Sequence, residues 1–195
     1  GRRWHGFNTD GFGFISSVKK DAGFSPAKKN VLILGAGGSA RAVAFALASE
    51  KAAAITIVNR HELRGRNVVR NLRRRFPKVN WQVQALAKAG FSSLLKDKDL
   101  VVNATSVGLR QHDSSLIPEE AIPWINERAI LFADLIYRPA ETRFLSFAKA
   151  KGQRTLNGLG MLLYQGAKSF EIWTQKKAPM DVMKSALQAA LGYVK

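Results

Sequence analysis

Residues 31–47 read VLILGAGGSARAVAFAL, and this stretch decides the fold. Four aliphatic residues, Val31 to Leu34, run without a break into Gly35, Gly37 and Gly38, and an alanine-rich helical run opens near Ser39. A strand that passes through a glycine turn into a helix gathers the backbone N–H groups of the helix N-terminus, where they and the helix dipole favour a phosphate. In that geometry Gly35 permits the tight turn, Gly37 lets the backbone approach a pyrophosphate, and Ala40 packs helix against strand. A glycine turn that binds nothing is the plain alternative. The flanking strand and helix argue against it, as does a second strand ending at Asn59, about the right distance on.

The end of that second strand chooses among dinucleotides. A protein selecting NAD usually places Asp or Glu there, to accept a hydrogen bond from the ribose 2′-OH. Here the sequence is NRHELRGR from residue 59, with Asn59, Arg60 and Arg64 and no carboxylate at the strand end. A guanidinium forms a bidentate, charge-assisted pair with a 2′-phosphate, which a carboxylate would repel. The residues therefore point to NADP. The competing reading is that these arginines only open a solvated basic helix.

Working outward, short β-rich runs start at Asn30, Ala54, Trp81, Asp99, Ala129 and Gln153. Helical patterns lie between them over residues 39–50, 62–76, 87–95 and 141–151. This alternation predicts a doubly wound, Rossmann-type α/β fold, a parallel sheet of about six strands with helices on both faces. The strands are near-continuous apolar runs, as strands buried on both faces should be. The long connection over residues 104–124, with Pro118 and Pro123, reads as a functional loop at a strand's C-terminal end. An opening helix is expected over residues 10–24, ended by Gly23, and closing helices over 159–174 and 179–191.

Composition narrows the function classes. With 195 residues, 46% of them hydrophobic and 23% charged, the chain has the makings of one large globular domain. There is no cysteine, which excludes disulfides, thiolate metal sites and cysteine nucleophiles. The three histidines show no metal-ligand spacing, so no metal is expected. The longest uncharged stretch, residues 155–167, is too short to span a membrane and holds three glycines. No secretory signal is visible and a cytoplasmic protein is expected. The net charge of +17 favours anionic partners. Much of it lies over residues 60–78, with eight basic residues and one acid. There Val68, Val69, Leu72 and Phe76 share one helix face, with Arg66, Arg70, Arg73 and Arg74 on the other. Without interleaved aromatics this is read as a solvent face that draws anions toward the cofactor, and specific nucleic-acid binding is not expected.

Several blocks, in order, resemble the shikimate dehydrogenase family: GFNTDGFGF at 6–14, GAGGSARA at 35–42, NR at 59–60, NATSVGL at 103–109, DLIYRPAETRFL at 134–145 and NGLGMLLYQGAKSFEIW at 157–173. Together they cover nearly the whole chain and correspond to the C-terminal two-thirds of such an enzyme. The resemblance implies reversible oxidation of shikimate to 3-dehydroshikimate with NADP, in aromatic amino-acid biosynthesis. It places the catalytic carboxylate on Asp10 and substrate contacts on Thr9, Tyr137 and Gln165. It puts the cofactor against Gly35, Ala36, Gly37, Gly38, Ser39, Asn59, Arg60, Arg64, Thr105, Ser106, Ile136, Gly158 and Met161. Taken alone, NTDG around Asp10 is also a good helix-capping sequence.

Two departures accompany the match. The substrate domain, with the serines that hold the shikimate carboxylate and the catalytic lysine, has no counterpart here, so the chain is expected to be an inactive fragment on its own. His61 stands where the family commonly has Thr. The expected organisation is one NADP-binding domain: residues 1–29 leading in, 30–157 as the Rossmann core, and 158–195 as returning helices. A partly apolar face left by the missing domain would favour self-association, with a homodimer as the simple case. The competing functions are a quinate/shikimate dehydrogenase and a catalytically silent nucleotide-binding module whose basic face docks nucleic acid.

Overall fold

The computed structural model describes residues 5–88, 90–110 and 112–192, so the N-terminal Arg2 and Arg3 lie outside the described residues. Six strands form one sheet: β1 Asn30–Leu34, β2 Ala54–Asn59, β3 Asn80–Ala85, β4 Leu100–Asn103, β5 Leu131–Asp134 and β6 Arg154–Leu156. Their order is β3-β2-β1-β4-β5-β6 and every pairing is parallel. Parallel neighbours need crossovers, and the helices supply them on both faces. The doubly wound sheet read from the sequence is the fold.

Alternation along the strands shows how the two layers are filled, because successive side chains point to opposite faces. Val31, Ile33, Ile55 and Ile57 pack against Phe14 and Val18 of α1 (Asp10–Lys20), Val43 and Leu47 of α2 (Gly38–Ser49), and Val68 and Leu72 of α3 (Glu62–Arg73). Leu32, Leu34, Val58, Val101 and Phe132 pack on the other face. Their partners are Phe91 and Leu95 of α4 (Phe91–Leu95) and Phe144, Leu145 and Ala148 of α5 (Arg143–Ala150). The four inner strands are the buried apolar runs expected. The edge strands β3 and β6 are half-exposed, since each has only one neighbour.

Helices α6 (Leu159–Thr174) and α7 (Met180–Leu191) close the chain, and α6 lies antiparallel along α1. The approach is close. A Cβ on Gly13 would lie 2.5 Å from the Met161 carbonyl oxygen and 2.8 Å from the Gln165 Cβ. Hydrogen bonds fasten the far end, where Tyr164 donates to Asp21 Oδ1 at 2.8 Å and Ser17 donates to Asp21 Oδ2 at 2.8 Å. Among the described residues no helix is long and apolar enough to cross a membrane.

Several boundaries differ from expectation. The opening helix stops at Lys20, because the chain turns through Gly23 at φ 57°. The basic helix ends at Arg73. The segment 87–95 is not one helix: a 3₁₀ turn, Leu86–Lys88, precedes the single helical turn of α4, which Gly90 introduces. α5 begins at Arg143 because Thr142 caps it, accepting the Leu145 N–H.

Candidate cofactor and active site

The strand order reverses between β1 and β4, and in open α/β sheets the crevice outside the strand ends at such a point is where ligands bind. A cleft of about 750 Å³ opens there. Gly35 forms its floor at φ 109°, a conformation that favours glycine, and a Cβ on it would lie 2.8 Å from the Ala104 carbonyl oxygen. Gly37 and Gly38 differ. Neither has a left-handed φ, and a Cβ on either would meet nothing within 4 Å. The protein's own packing does not require glycine at these two positions, so the open space belongs to whatever approaches the turn. α2 starts at Gly38 with no side-chain cap and no acid in its first turn, and its leading N–H groups have no intrahelical partners. Ser39 lines an adjoining cavity, and Ala40 is fully buried, as its packing role requires.

Asn59, Arg60 and Arg64 line the same cleft as Ala36 and Gly37. The Asn59 amide donates to the His61 carbonyl at 2.9 Å, so this side chain shapes the turn. The nearby acid Glu62 is held by Arg66, at 2.6 Å and 2.8 Å. Among the described residues no ion pair or side-chain hydrogen bond engages Arg60 or Arg64. Two exposed, unpartnered guanidinium groups beside an uncapped helix N-terminus suit a ligand with several phosphates. One carboxylate, Asp113, also reaches the cleft. Backbone N–H groups of Gly108 (2.9 Å) and Arg110 (3.1 Å) donate to it and hold its pKa below the ordinary value.

A second cavity of about 730 Å³ shares Thr105 and Ser106 with the first and adds Ile136 and Tyr137. Gly158 abuts this wall, donating to the Ile136 carbonyl at 3.0 Å, and a Cβ on it would collide with the Leu135 carbonyl. Behind the wall lies a polar network that local sequence patterns did not reveal. Asp134, 1% exposed, accepts from Thr142 Oγ1 at 2.7 Å, from Ile136 N at 3.0 Å and from Asn103 Nδ2 at 3.1 Å. Asn103 Oδ1 in turn accepts from Thr105 N at 3.1 Å and from Thr105 Oγ1 at 2.7 Å. The Thr105 hydroxyl proton is thus spent within the protein, and Thr105 offers the cleft its backbone and methyl group. Burial pushes the Asp134 carboxyl above the usual carboxylate range, while the bonds from Ile136, Thr142 and Asn103 pull the other way. The available signal was a polar residue closing each of two apolar strands.

Asp10 is the first residue of α1, with Thr9 at the cap position. Capping is not its role. Asn8 Oδ1 accepts the Asp10 N–H at 3.0 Å, and Thr9 Oγ1 pairs with Ser169 Oγ of α6 at 3.0 Å. Among the described residues the half-buried Asp10 carboxylate has no hydrogen-bond or ion-pair partner. Gln165 projects from α6 one turn away from Ser169, beside Gly13, and its amide is likewise unpartnered among the described residues. Met161, expected against the cofactor, is buried in the core with Phe14 and Val18.

The chain is similar over residues 17–135 to the family model described as shikimate / quinate 5-dehydrogenase, and over 158–188 to the shikimate 5′-dehydrogenase C-terminal domain. It is 42% identical over 189 residues to the shikimate dehydrogenase (NADP(+)) of Moorella thermoacetica, covering 96% of this chain and 62% of that relative. Among solved structures, the shikimate 5-dehydrogenase of Thermus thermophilus in complex with NADP(H) and shikimate superposes with a TM-score of 0.77 at 39% identity. That match covers 95% of this chain and 64% of the other. The ligand-free 5-ketofructose reductase of a Gluconobacter species superposes with a TM-score of 0.82 at 40% identity, covering 95% and 64%. The chain spans about 62% of the length of the curated relatives it matches. The first family model alone takes in more than half of the residues, and the glycine turn, the arginine pair and the strand-end loop it spans are the features that build the cleft; the chain belongs to the shikimate/quinate 5-dehydrogenase family.

Proposed function

We propose that this chain is the NADP-holding part of a shikimate dehydrogenase and contributes the carboxylate of its catalytic pair. The observation that carries the reading is Asp10: a half-buried carboxylate, released from capping by Asn8 and without a partner of its own among the described residues. Oxidation of an alcohol requires a group to take the hydroxyl proton as the hydride departs, and the reverse direction returns it. Asp10 holds that proton at its carboxylate together with an amine supplied from outside these 195 residues. Thr9, Gln165 and Tyr137 orient the substrate. When bound, NADP supplies the hydride acceptor. Arg60 and Arg64 grip its 2′-phosphate, the N-terminus of α2 takes the pyrophosphate, and the Thr105–Ser106 and Ile136 segments, with Gly158 behind them, bound the nicotinamide side.

The substrate pair is shikimate and 3-dehydroshikimate. The resemblance to a 5-ketofructose reductase supports the view that the substrate is chosen largely outside this chain, since that protein is similar over 95% of these residues at 40% identity. Phe7, Phe12 and Trp173, which are 72%, 48% and 81% exposed, support an apolar face that pairs with the rest of the enzyme. On its own the chain would self-associate through that face, in the simplest case as a homodimer. We place the enzyme in the cytoplasm. The test is NADPH formation from shikimate by the chain joined to its substrate domain. Asp10→Asn should lower turnover by roughly 10²-fold or more and leave NADP affinity nearly unchanged. Unimpaired turnover would remove Asp10 from the chemistry.

A further inference from the structure

We infer that Asp134, which touches neither cavity, is a positioning residue that sets both walls between which the nicotinamide end of the cofactor would lie; this rests on the function proposed above. β4 and β5 pair in register so that Asn103 stands opposite Asp134, and this places an amide against a carboxylate inside the sheet end. The carboxylate is an acceptor only, so Asn103 must present its NH₂ to it. That leaves Asn103 Oδ1 facing Thr105 and fixes its role as acceptor for the Thr105 amide and hydroxyl. The Thr105 hydroxyl then accepts from Val107 N at 3.1 Å, and Asn103 Nδ2 donates to the Val107 carbonyl at 3.0 Å. Asp134, the Thr105 N–H and the Val107 carbonyl thus all require the same orientation of the Asn103 amide, and Asp134 anchors it from inside the sheet.

The same carboxylate accepts the Ile136 N–H, which sets how the chain leaves β5 toward Tyr137. Through Thr142 it also fixes the cap of α5. Gly108 meets both branches: a Cβ there would lie 3.2 Å from Thr142 Cγ2 and 3.3 Å from Ile136 Cδ1. One buried charge therefore ties the β4 loop, the β5 exit and α5 into a single unit. Asparagine at position 134 would turn one acceptor into a donor, facing either the Thr142 hydroxyl or the Ile136 N–H, and weaken the hold on the Asn103 amide.

Amide hydrogen exchange on the chain, measured beside NADP titration far below the melting temperature, tests this. The Thr105, Val107 and Ile136 amides depend on side-chain acceptors of this network, whereas Leu135 N bonds the Asn103 backbone carbonyl at 3.0 Å and serves as the internal control. Asp134→Asn should speed exchange roughly 10-fold or more at Thr105 and Val107, which it does not touch, and leave Leu135 unchanged. NADP should bind roughly 10-fold more weakly. Thr142→Val keeps the shape, removes one donor, and stands in should Asp134→Asn fail to fold; it should speed exchange at Ile136. A lowered melting temperature with unchanged exchange at Thr105 and Val107 and unchanged affinity would reduce Asp134 to a structural residue and overturn the inference. Failure of the unaltered chain to bind NADP would count against the proposed function, while the exchange pattern still decides the role of Asp134.

Discussion

Replacing Gly37 with serine should strengthen the fold and weaken the site at the same time. Gly37 is the N-cap of α2 at φ −83°, with no Cβ obstruction within 4 Å, so serine fits without strain. Serine is a better cap than glycine by a few tenths of a kcal/mol, because its hydroxyl oxygen accepts an N–H of the first turn. For a chain of this length that corresponds to a rise in melting temperature of about 1 °C. The N–H group it accepts is one that a pyrophosphate would use, and the added side chain fills the space left open at the turn. Losing one charge-assisted hydrogen bond costs about 1.5–3 kcal/mol, or roughly 10- to 150-fold in affinity. Calorimetric titration with NADP, beside thermal melts of both proteins without ligand, reads the two effects separately. A Gly37→Ser chain that melts as high as the original but binds NADP equally well would refute the placement of the pyrophosphate at α2. By contrast, Gly35→Ser should simply destabilise, since its φ of 109° and the 2.8 Å approach to Ala104 both oppose a side chain.

The clasp between α1 and α6 has a pH signature. Burial, then the hydrogen bond and charge of Asp21, push the Tyr164 phenol from 10.0 up to about 12. A raised pKa means that the stabilisation from this pair is complete below about pH 10 and is lost as pH rises through about 12. Ultraviolet phenolate titration should show a late transition near 12 that vanishes in Tyr164→Phe, and a titration curve left unchanged by that substitution at high pH would contradict it. The basic face of α3 should bind nucleic acid only weakly, with association gone by about 0.2 M salt. Sub-micromolar retention of a duplex or single strand at that salt would favour a nucleic-acid partner.

What the sequence disclosed follows from how local each signal is. The glycine turn, the missing carboxylate after β2 and the unbroken strands are contiguous features, and all were legible. The Asp134 network was not, because it joins residues 31 apart through a strand register that no local pattern encodes. Asp10 was ambiguous for a related reason: its neighbours NTDG suit a cap equally well, and only the structure shows Asn8 accepting the Asp10 N–H and the Thr9 hydroxyl paired with Ser169. Met161 is a cofactor contact by family resemblance alone; its side chain lies in the core with Phe14 and Val18, where α1 and α6 cross closely at Gly13. The start of α5 was misjudged where one polar side chain, Thr142, outweighed the propensity of the run, whereas Gly23 ends the opening helix as read, three residues beyond its last helical residue.

The most direct test of the central claim, that this chain holds NADP through Arg60 and Arg64, is a calorimetric titration of the chain with NADP and with NAD at equal ionic strength. The two guanidinium groups have no other partner among the described residues, so the 2′-phosphate should be worth about 1.5–3 kcal/mol. NADP should therefore bind roughly 10- to 150-fold more tightly than NAD, and Arg60→Ala with Arg64→Ala should erase the difference while sparing NAD. Equal affinity for the two cofactors in the unaltered chain, or a preference for NAD, would contradict the account.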